Sequence, residues 1–402
     1  MTLSLRRNKE LPAGSIWYED NEKGLKLIFT PYRKYPAKYF GENLKVRKIE
    51  NNFSYSEAFY FWAGYTIVRE FISAFATNQK ANSRLHNFHK GIRRARGHFE
   101  RGERTLSYLF RLPHPGLEGV SYGTRLFERL DKQGCIPASG NILEIGAGEG
   151  FHTEDFIRAL RRRSQGRFFY SNLDLSRQLL KAQEAQSRGL LKRHYFIQAD
   201  ALELPFSGSQ FDLVIANEVI ADFPVEKVSQ AKADTCRIMR KYGLDISDAP
   251  PEFLINSGSI RFLEELWRVL KTGAQAVIIE YGDLWHYPVA TPLPGHVEYS
   301  IHFGHLMSAA RHLGFKAECH NAFSFFQFSP SARVITGNSL MLLQRLMKHL
   351  KRGLPAFAYT EEMLKERLGR LYPRIHNLQF EGIEKLAVLF SVQEFKVLIL
   401  KK

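Results

Sequence analysis

Apolar and polar positions in the middle of the chain follow two alternating patterns. From residue 141 to residue 281, short apolar runs are separated by segments whose apolar residues recur at helical spacing. Such alternation of strands and helices is typical of a parallel sheet whose strands are joined by crossover helices. An α/β fold with a doubly wound, mostly parallel sheet is therefore predicted. Its strands are Ile142–Ile145, Arg167–Asp174, His194–Asp200, Phe211–Glu218 and Ala276–Tyr281.

Two long stretches interrupt this regular pattern. Val225–Gly258 and Gly282–His305 contain prolines and glycines and show no sustained period. We expect both to be long loops that shape the substrate side of the sheet, because such loops beside a binding edge usually do so. The helices that the pattern predicts are Tyr122–Leu130, Phe151–Leu160, Leu179–Leu191 and Phe262–Leu270.

The two ends of the chain carry weaker patterns. Near the N-terminus we predict a strand at Leu25–Thr30 and a buried helix at Phe53–Ala76. After residue 332 we predict helices at Leu340–Leu350 and Thr360–Leu371, and a strand at Phe395–Leu400 that completes the sheet edge. The predicted division is an N-terminal accessory region (1–119), a cofactor-binding core (120–325) and C-terminal additions packed on that core (326–402).

Composition limits the class of protein. The 402 residues are 44% hydrophobic and 13% aromatic, which is typical of a globular chain. No apolar run approaches the roughly 18 residues that a membrane-spanning helix needs, so we expect a soluble, cytoplasmic protein whose oligomeric state the sequence leaves open. Cys135, Cys236 and Cys319 lie far apart, and His86 and His89 have no further ligand type close to them in the sequence. Disulfides and metal sites are therefore not expected.

The formal net charge of +16 suits an acidic partner such as nucleic acid. A basic segment, His86–His98, is followed by Arg101 and Arg104, and it mixes cationic and aromatic side chains that could grip phosphates and stack bases. A solvated helix face gives the same pattern, and we favour that interpretation. Contact with nucleic acid through this segment stays an alternative.

Three glycines, Gly146, Gly148 and Gly150, separate the first predicted strand from the helix that follows it. Glycine tolerates positive φ, and without a Cβ atom it allows a ligand to approach the backbone. The following helix would offer free N–H groups at its positive end. A turn with a structural role alone gives the same spacing, so the motif is informative only together with the residues downstream.

Acidic residues follow the next predicted strands. Asp174 lies at the end of the second strand, where a carboxylate can accept both hydroxyls of a ribose. Asp200 and Ala201 follow the third strand, where a side-chain oxygen and a backbone N–H could bind the edge of adenine. Glu144, just before the glycines, could orient the loop or attract an ammonium group. These acids indicate an adenosine ligand with a positive charge, such as S-adenosyl-L-methionine.

A dinucleotide fits the same stretch less well. Its usual motif is Gly-x-Gly-x-x-Gly, whereas here the third glycine comes one residue earlier. S-adenosylmethionine has no pyrophosphate for the turn to bind. An NAD-dependent enzyme therefore stays the weaker alternative.

Several blocks of the sequence resemble the class I S-adenosylmethionine-dependent methyltransferases. The matching blocks are Leu143-Glu-Ile-Gly-Ala-Gly-Glu-Gly150, Leu173-Asp-Leu-Ser176, Gln198-Ala-Asp-Ala-Leu-Glu-Leu-Pro-Phe206, Phe211-Asp-Leu-Val214 and Glu265-Leu-Trp-Arg-Val-Leu-Lys-Thr-Gly273. The resemblance covers about residues 120–320 and implies a Rossmann-like fold. It also implies that Glu144 and the glycines cradle the methionine part, Asp174 binds the ribose and Asp200 binds the adenine. The cofactor set it implies is Glu144, Gly146, Ala147, Gly148, Gly150, Asp174, Leu175, Asp200, Ala201 and Asn217.

Further segments resemble the narrower MidA-like family. These are Ala216–Val225, Ile279–Asp283, Gly295–Ser300 and the closing Phe395–Leu398. That family includes the mitochondrial complex I assembly factor, which methylates a protein arginine. The resemblance implies a protein side chain, arginine among the options, as methyl acceptor. An RNA methyltransferase and a cofactor-binding assembly factor without transferase activity are the alternatives.

The catalytic candidates follow the fourth and fifth predicted strands. Methyl transfer needs a positioned acceptor and exclusion of water, and a base where the acceptor must lose a proton. Asn217 and Glu218 should face the methyl group, and Glu218 could bind a guanidinium or remove a proton, or else simply orient a loop. Asp222 is a weaker helper. Candidates for the lining of the acceptor pocket, each with a structural role as its alternative, are Tyr281, His286, His296 and Glu298; the predicted catalytic set is Glu218, Asn217, Tyr281 and His296.

Overall fold

A computed structural model gives the fold. It describes residues 16–21, 24–29, 44–46, 88–93, 95, 98–101, 105–163, 166–231, 236–293, 296–375, 377–383 and 394–402. Three N-terminal strands form an antiparallel sheet in the order β1-β2-β3; they are β1 (Ile16–Asn21), β2 (Gly24–Phe29) and β3 (Leu44–Val46). Strand β2 confirms the predicted N-terminal strand. The helix predicted at Phe53–Ala76 lies outside the described residues.

The remaining strands alternate with helices, as the pattern predicts. The strands are β4 (Gly140–Ile145), β5 (Phe168–Asp174), β6 (His194–Gln198), β7 (Phe211–Asn217), β8 (Glu226–Ser229), β9 (Glu252–Ile255), β10 (Leu270–Asp283), β11 (Ala290–Leu293), β12 (His296–Tyr299), β13 (Ile301–His302), β14 (Lys316–Asn321), β15 (Arg333–Ile335), β16 (Phe380–Gly382) and β17 (Glu394–Lys401). The α-helices are α1 (His98–Arg101), α2 (Leu106–Leu109), α3 (Tyr122–Lys132), α4 (Phe151–Arg163), α5 (Arg177–Ser187), α6 (Arg237–Tyr242), α7 (Ser257–Val269), α8 (Phe303–Leu313), α9 (Ala322–Phe326), α10 (Gly337–His349) and α11 (Glu361–Leu368).

The main sheet has eight strands, seven of them in the order β14-β17-β10-β7-β4-β5-β6, with β13 paired to the end of β10. Strands β4, β5, β6, β7 and β10 are parallel, whereas β17 is antiparallel to both of its neighbours. The predicted Rossmann-like, mostly parallel sheet is confirmed. The last strand was predicted at the sheet edge, and this is wrong because β14, which the sequence pattern did not reveal, pairs with its free side.

Both faces of the sheet are covered, because successive side chains of a strand point to opposite faces. Along β7, Val214 packs into the core cluster of α7 and α8, and Ile215 packs into the cluster of α3 and α4. Strands buried on both faces have continuous apolar runs, which is why these strands were visible in the sequence. Helices α10 and α11 have their own apolar cluster, which includes Leu343 and Leu364.

The two stretches predicted as long loops contain regular structure. Strands β8 and β9 pair antiparallel within Val225–Gly258, and α6 lies between them. Strands β11 and β12 pair within Gly282–His305, where α8 also begins. The loop predictions are therefore wrong in detail, because short paired strands depend on contacts between segments and leave little periodicity. Within the described part of the chain, no helix is both long and apolar enough to cross a membrane.

Candidate active site

The carboxyl ends of β4, β5 and β7 open into a cleft with about 870 Å³ of empty space. Because β4 has β5 and β7 as its neighbours, their ends meet at one edge of the sheet, where open α/β folds bind ligands. The described residues that line the cleft come from the glycine turn, from the ends of these strands and from the segment 89–108.

The glycine turn has the backbone that its composition predicts. Gly146, Gly148 and Gly150 all have positive φ, at 67°, 56° and 88°. A Cβ atom on Gly146 would lie 2.4 Å from Val219 Cγ2, and one on Gly150 would lie 2.8 Å from Gln183 Cα. Gly146, Ala147 and Gly148 line the cleft. Gly150 lies outside the lining, and its small size instead allows α4 to approach α5.

Asp174 is buried at the end of β5 with its carboxylate fixed on both sides. Its Oδ1 accepts a hydrogen bond from the Ser176 N–H at 2.8 Å, and its Oδ2 accepts one from Gln183 Nε2 at 2.9 Å. A carboxylate has two lone pairs on each oxygen, and these two hydrogen bonds use one on each. Asp174 lines the cleft together with Leu175, Asp200 and Ala201. This set offers the acidic and apolar contacts that an adenosine needs.

Glu144 lies beneath the cleft. It is 1% exposed, and its Oε2 accepts hydrogen bonds from Thr153 Oγ1 at 2.8 Å and from the Tyr170 hydroxyl at 2.9 Å. Its other oxygen contacts His152 Nε2, and His152 does line the cleft. Glu144 therefore reaches the predicted methionine end through His152, which the sequence analysis missed.

The Glu144–His152 pair is a buried ion pair. Burial alone would raise the pKa of the Glu144 carboxyl, but His152 and the hydrogen-bond donors outweigh it, and that pKa is lowered. Burial would lower the pKa of His152, but the adjacent carboxylate outweighs it, and that pKa is raised. Both shifts favour the charged forms. His152 lines the cleft with its ring held beside this carboxylate.

Asn217 and Glu218 end β7 and form a connected pair. The Tyr122 hydroxyl donates to Asn217 Oδ1 at 2.6 Å, and Asn217 Nδ2 donates to Glu218 Oε1 at 3.1 Å. Both residues line the cleft, as predicted. Glu218 has a φ of 57°, the left-handed region that is costly for a residue with a side chain. Such strain is typical of functional sites and of positions that the surrounding contacts hold in place.

The Glu218 carboxylate binds the start of α2. Its oxygens accept hydrogen bonds from the Leu106 N–H at 2.6 Å and from the N–H and hydroxyl of Ser107, both at 3.0 Å. Burial raises the pKa of Glu218, although these donors oppose the shift. The geometry matches the alternative role of orienting a segment, because the helix N-terminus and Asn217 already engage both oxygens.

The described residues of 88–101 and 105–108 form a roof over the cleft that the sequence analysis missed. Phe99 and Tyr108 stack with ring centroids 5.7 Å apart, and both line the cleft. The Tyr108 hydroxyl donates to Glu100 Oε1 at 2.7 Å, and the Arg111 guanidinium lies 4.0 Å from the Tyr108 ring centroid. Residues 1–119 contain no recognisable motif, so no sequence signal indicated this role. Of the lysines and arginines of the basic segment, Lys90 and Arg93 are described and both are exposed, whereas Arg94, Arg96 and Arg104 lie outside the described residues.

The predicted residues of the fifth-strand loop divide into three groups. Tyr281 is buried in the core, with its ring centroid 6.1 Å from that of Phe395, and it lies outside the cleft lining. His286 is exposed and pairs with Asp283 at 3.0 Å. His296 is buried behind the cleft wall, with Glu298 beside it. The structure thus brings neither Tyr281 nor His286 to the cleft.

Three side chains converge at the end of the cleft opposite the adenosine residues. His89 Nδ1 lies 3.5 Å from Asp222 Oδ2, and His296 Nε2 lies 3.6 Å from Asp222 Oδ1. His89 and Asp222 line the cleft. The expectation that His89 has no partner ligands was based on neighbours in the sequence, and the fold overturns it, because Asp222 and His296 come from distant segments.

Comparison with known proteins agrees with the geometry of the cleft. Residues 142–243 match the family described as Methyltransferase domain. A curated relative, the malonyl-acyl-carrier-protein O-methyltransferase of Legionella pneumophila, is 35% identical over 98 residues. That alignment covers 24% of this chain and 32% of the relative, so the chain spans about a third of the relative's length.

Solved structures with a similar arrangement include the 4+2 cyclase SpnF, with 16% identity, a TM-score of 0.39, and coverage of 69% of this chain and 80% of that chain. An uncharacterised protein from Burkholderia thailandensis has 18% identity and a TM-score of 0.41, covering 70% of this chain and 79% of its own. The domain match contains the glycine turn, Asp174 and Asp200. It supports S-adenosyl-L-methionine as the cofactor, in agreement with the residues at the strand ends.

Proposed function

We propose that the chain is an S-adenosylmethionine-dependent methyltransferase whose acceptor is a protein side chain. The observation that carries this proposal is the composition of one cleft. Its first end holds the glycine turn, Asp174 and Asp200, and its second end holds Asn217 and Asp222. A methyltransferase needs these two ends side by side, because the methyl group passes from one ligand to the other.

The residues at the cofactor end would each hold one part of S-adenosylmethionine. Asp174 would accept the ribose hydroxyls, and Asp200 with Ala201 would contact the adenine. The open backbone of Gly146 and Gly148 would lie along the methionine part. The bound cofactor supplies an activated methyl group on a sulfonium. The chain itself binds, orients and excludes water.

The residues at the acceptor end would position the nucleophile. Glu218 holds the roof in place through Leu106 and Ser107. The rings of Phe99 and Tyr108 cover the cleft and would keep water away from the transfer. Asn217, held by Tyr122, presents a fixed amide toward the cleft. In this arrangement Glu218 is a positioning residue, and its carboxylate is not the base.

The net charge of +16 belongs to the whole chain. Of the lysines and arginines in the basic segment, Lys90 and Arg93 are described and exposed, and neither lines the cleft. The resemblance to the MidA-like family supports a protein side chain, and that subfamily assignment stays a prediction.

A labelled-methyl assay tests the proposal. The full chain is incubated with methyl-labelled S-adenosylmethionine and cell extract, and the product is divided between protease and RNase treatment. We expect label that protease releases and RNase leaves in place. RNase-sensitive label would point to the RNA alternative. Calorimetric binding of S-adenosylhomocysteine without any transfer would favour the assembly-factor alternative, and no binding would contradict the cofactor assignment itself.

A further inference from the structure

His89, Asp222 and His296 come from three separate segments and meet at the acceptor end of the cleft. His89 begins the short 3-10 helix His89–Gly91, Asp222 ends the 3-10 helix Ile220–Asp222 after β7, and His296 begins β12. One ligand-type atom from each side chain lies within 4.8 Å of the others. The cluster therefore exists only in the folded chain.

We infer that these three side chains form a binding site for one divalent transition-metal ion. A tetrahedral site with bonds of about 2.0–2.1 Å places its ligand atoms about 3.4 Å apart. The separations are 3.5 Å between His89 Nδ1 and Asp222 Oδ2, and 3.6 Å between His296 Nε2 and Asp222 Oδ1. All three ligand atoms lie within 4.8 Å of one another, so binding an ion requires the side chains to draw together by up to about 1.4 Å.

The donor set indicates the class of metal. Two imidazoles and one carboxylate are the set found in catalytic zinc sites and in non-haem iron sites. Magnesium and calcium prefer oxygen ligands and bind poorly to imidazole. We therefore expect zinc, cobalt or ferrous ions to bind, and millimolar magnesium to compete poorly.

The surroundings of the cluster fit a site with open coordination positions. His296 is 2% exposed, and its ring stacks on Phe88 with centroids 4.3 Å apart, which fixes its orientation. His89 and Asp222 line the cleft. An ion between them would have protein ligands on one side and the cleft on the other. Glu298 Oε1, 3.5 Å from His296 Nε2, adds a second carboxylate that would stabilise the positive charge.

A second histidine pair shows what a structural cluster looks like in this fold. The rings of His302 and His305 stack with centroids 3.7 Å apart. His302 Nδ1 accepts a hydrogen bond from the His305 N–H, and His305 Nε2 bonds to the Asp245 carbonyl. These two ring nitrogens are engaged by the backbone. At the acceptor end, His89 Nδ1 and His296 Nε2 each lie beside a carboxylate oxygen of Asp222.

Metal binding does not depend on methyl transfer, but its consequence for the acceptor rests on the proposed function. An ion held by Asp222 would occupy the place where a cationic guanidinium would otherwise approach this carboxylate. The acceptor would then be a group that can bind a metal through oxygen, nitrogen or sulfur. A metal site and an arginine acceptor are mutually exclusive at this position.

The test is a cobalt titration of the full chain, prepared without a histidine tag and treated with a chelator. We expect one Co²⁺ ion per chain, visible by its d–d absorption and displaced by one equivalent of Zn²⁺. H89A, D222N and H296A should each weaken the affinity by at least tenfold. H286A is the matched control, because His286 also pairs with an aspartate but lies exposed on the surface, and it should bind as the wild type does.

H296A removes a buried ring, so circular dichroism must show that each variant folds. H89A and D222N alter side chains that are 16% exposed, and they test the site if H296A does not fold. Absence of stoichiometric Co²⁺ and Zn²⁺ binding, or binding that both folded variants leave unchanged, would overturn the inference, as would cobalt–thiolate absorption. Calorimetry with S-adenosylhomocysteine on the same samples tests the cofactor end separately, so either proposal can fail without the other.

Discussion

At the cofactor end of the cleft the side chains come from consecutive strand ends, whereas at the acceptor end they come from segments far apart in the chain. Asp174 ends β5, and Gly146 and Asp200 follow β4 and β6. His89 and His296, which meet around Asp222, are separated by most of the main sheet. A parallel sheet brings its own strand ends together, so the cofactor end needs nothing more than the sheet. The acceptor end also needs the roof and the Gly282–His305 insertion, which carries His296, to be placed correctly.

This difference has a consequence for how each end responds to change. A substitution at the cofactor end should act directly on ligand binding, because its side chains are fixed by local hydrogen bonds such as that of Asp174 to Ser176. A substitution at the acceptor end should first loosen the contact between segments. The experiments below separate these two responses.

The largest effect is expected for D174A at the cofactor end. If Asp174 binds the ribose as proposed, the variant removes two charge-assisted hydrogen bonds, each contributing about 1.5–3 kcal/mol. The affinity for S-adenosylhomocysteine should fall close to a thousandfold, about 4 kcal/mol, by calorimetry. D283A is the matched control, because Asp283 also follows a strand and accepts an N–H two residues further on, at 2.7 Å from Trp285. Equal losses in both variants would contradict the assignment of Asp174.

The next effect concerns the packing beneath the glycine turn. G150A adds a Cβ atom 2.8 Å from Gln183 Cα at a φ of 88°. Strain and overpacking together should lower the free energy of unfolding by about 2–4 kcal/mol, measured by chemical denaturation. G189A shares the positive φ, at 77°, but has open space around it, so it should lose about 1–2 kcal/mol. An equal loss of stability in the two variants would mean that the close packing of α4 against α5 adds no cost beyond the positive φ.

The third-largest effect is expected for a change at Glu218, which lies between the cofactor end and the acceptor end of the cleft. E218A leaves the Leu106 and Ser107 N–H groups without their acceptor and should destabilise the chain by about 2–3 kcal/mol. We also expect faster proteolysis within the roof. S107A is the graded control, since it removes one hydroxyl bond and keeps the backbone bonds to Glu218. If E218A folds with wild-type stability and still loses all methyl transfer, Glu218 acts as the base.

The smallest effect is a pH dependence at the cofactor end. The raised pKa of His152 stabilises the fold fully below its ordinary value of 6.5, and this contribution is lost as pH rises through the folded-state pKa. The lowered pKa of Glu144 stabilises the fold above 4.5, and this is lost as pH falls through the folded-state pKa. The melting temperature of the wild type should therefore exceed that of H152Q most between about pH 4.5 and 6.5, and this difference should shrink at higher pH. A difference that does not change with pH would show that the pair is not ionised.

The sequence indicated much of the cofactor end because its signals are local. Apolar runs gave β4, β5 and β7, and the glycines and Asp174 stand next to them in the chain. The same local reasoning left open whether Glu144 reaches the cleft. Its neighbour Ile145 lines the cleft, and because successive side chains of a strand point to opposite sides, Glu144 is buried beneath it. Local reasoning also missed His152, whose position opposite Glu144 depends on how α4 packs on the sheet.

What the sequence by itself determined is the sheet and the polar groups at its edge, because side-chain period and strand–helix alternation are properties of neighbouring residues. The tertiary structure alone decided which far-separated groups share the second end of the cleft. It placed Tyr281 in the core, bound Glu218 to α2 and brought His89 to Asp222. Such contacts depend on the packing of whole elements against one another, and no periodicity in the chain encodes them.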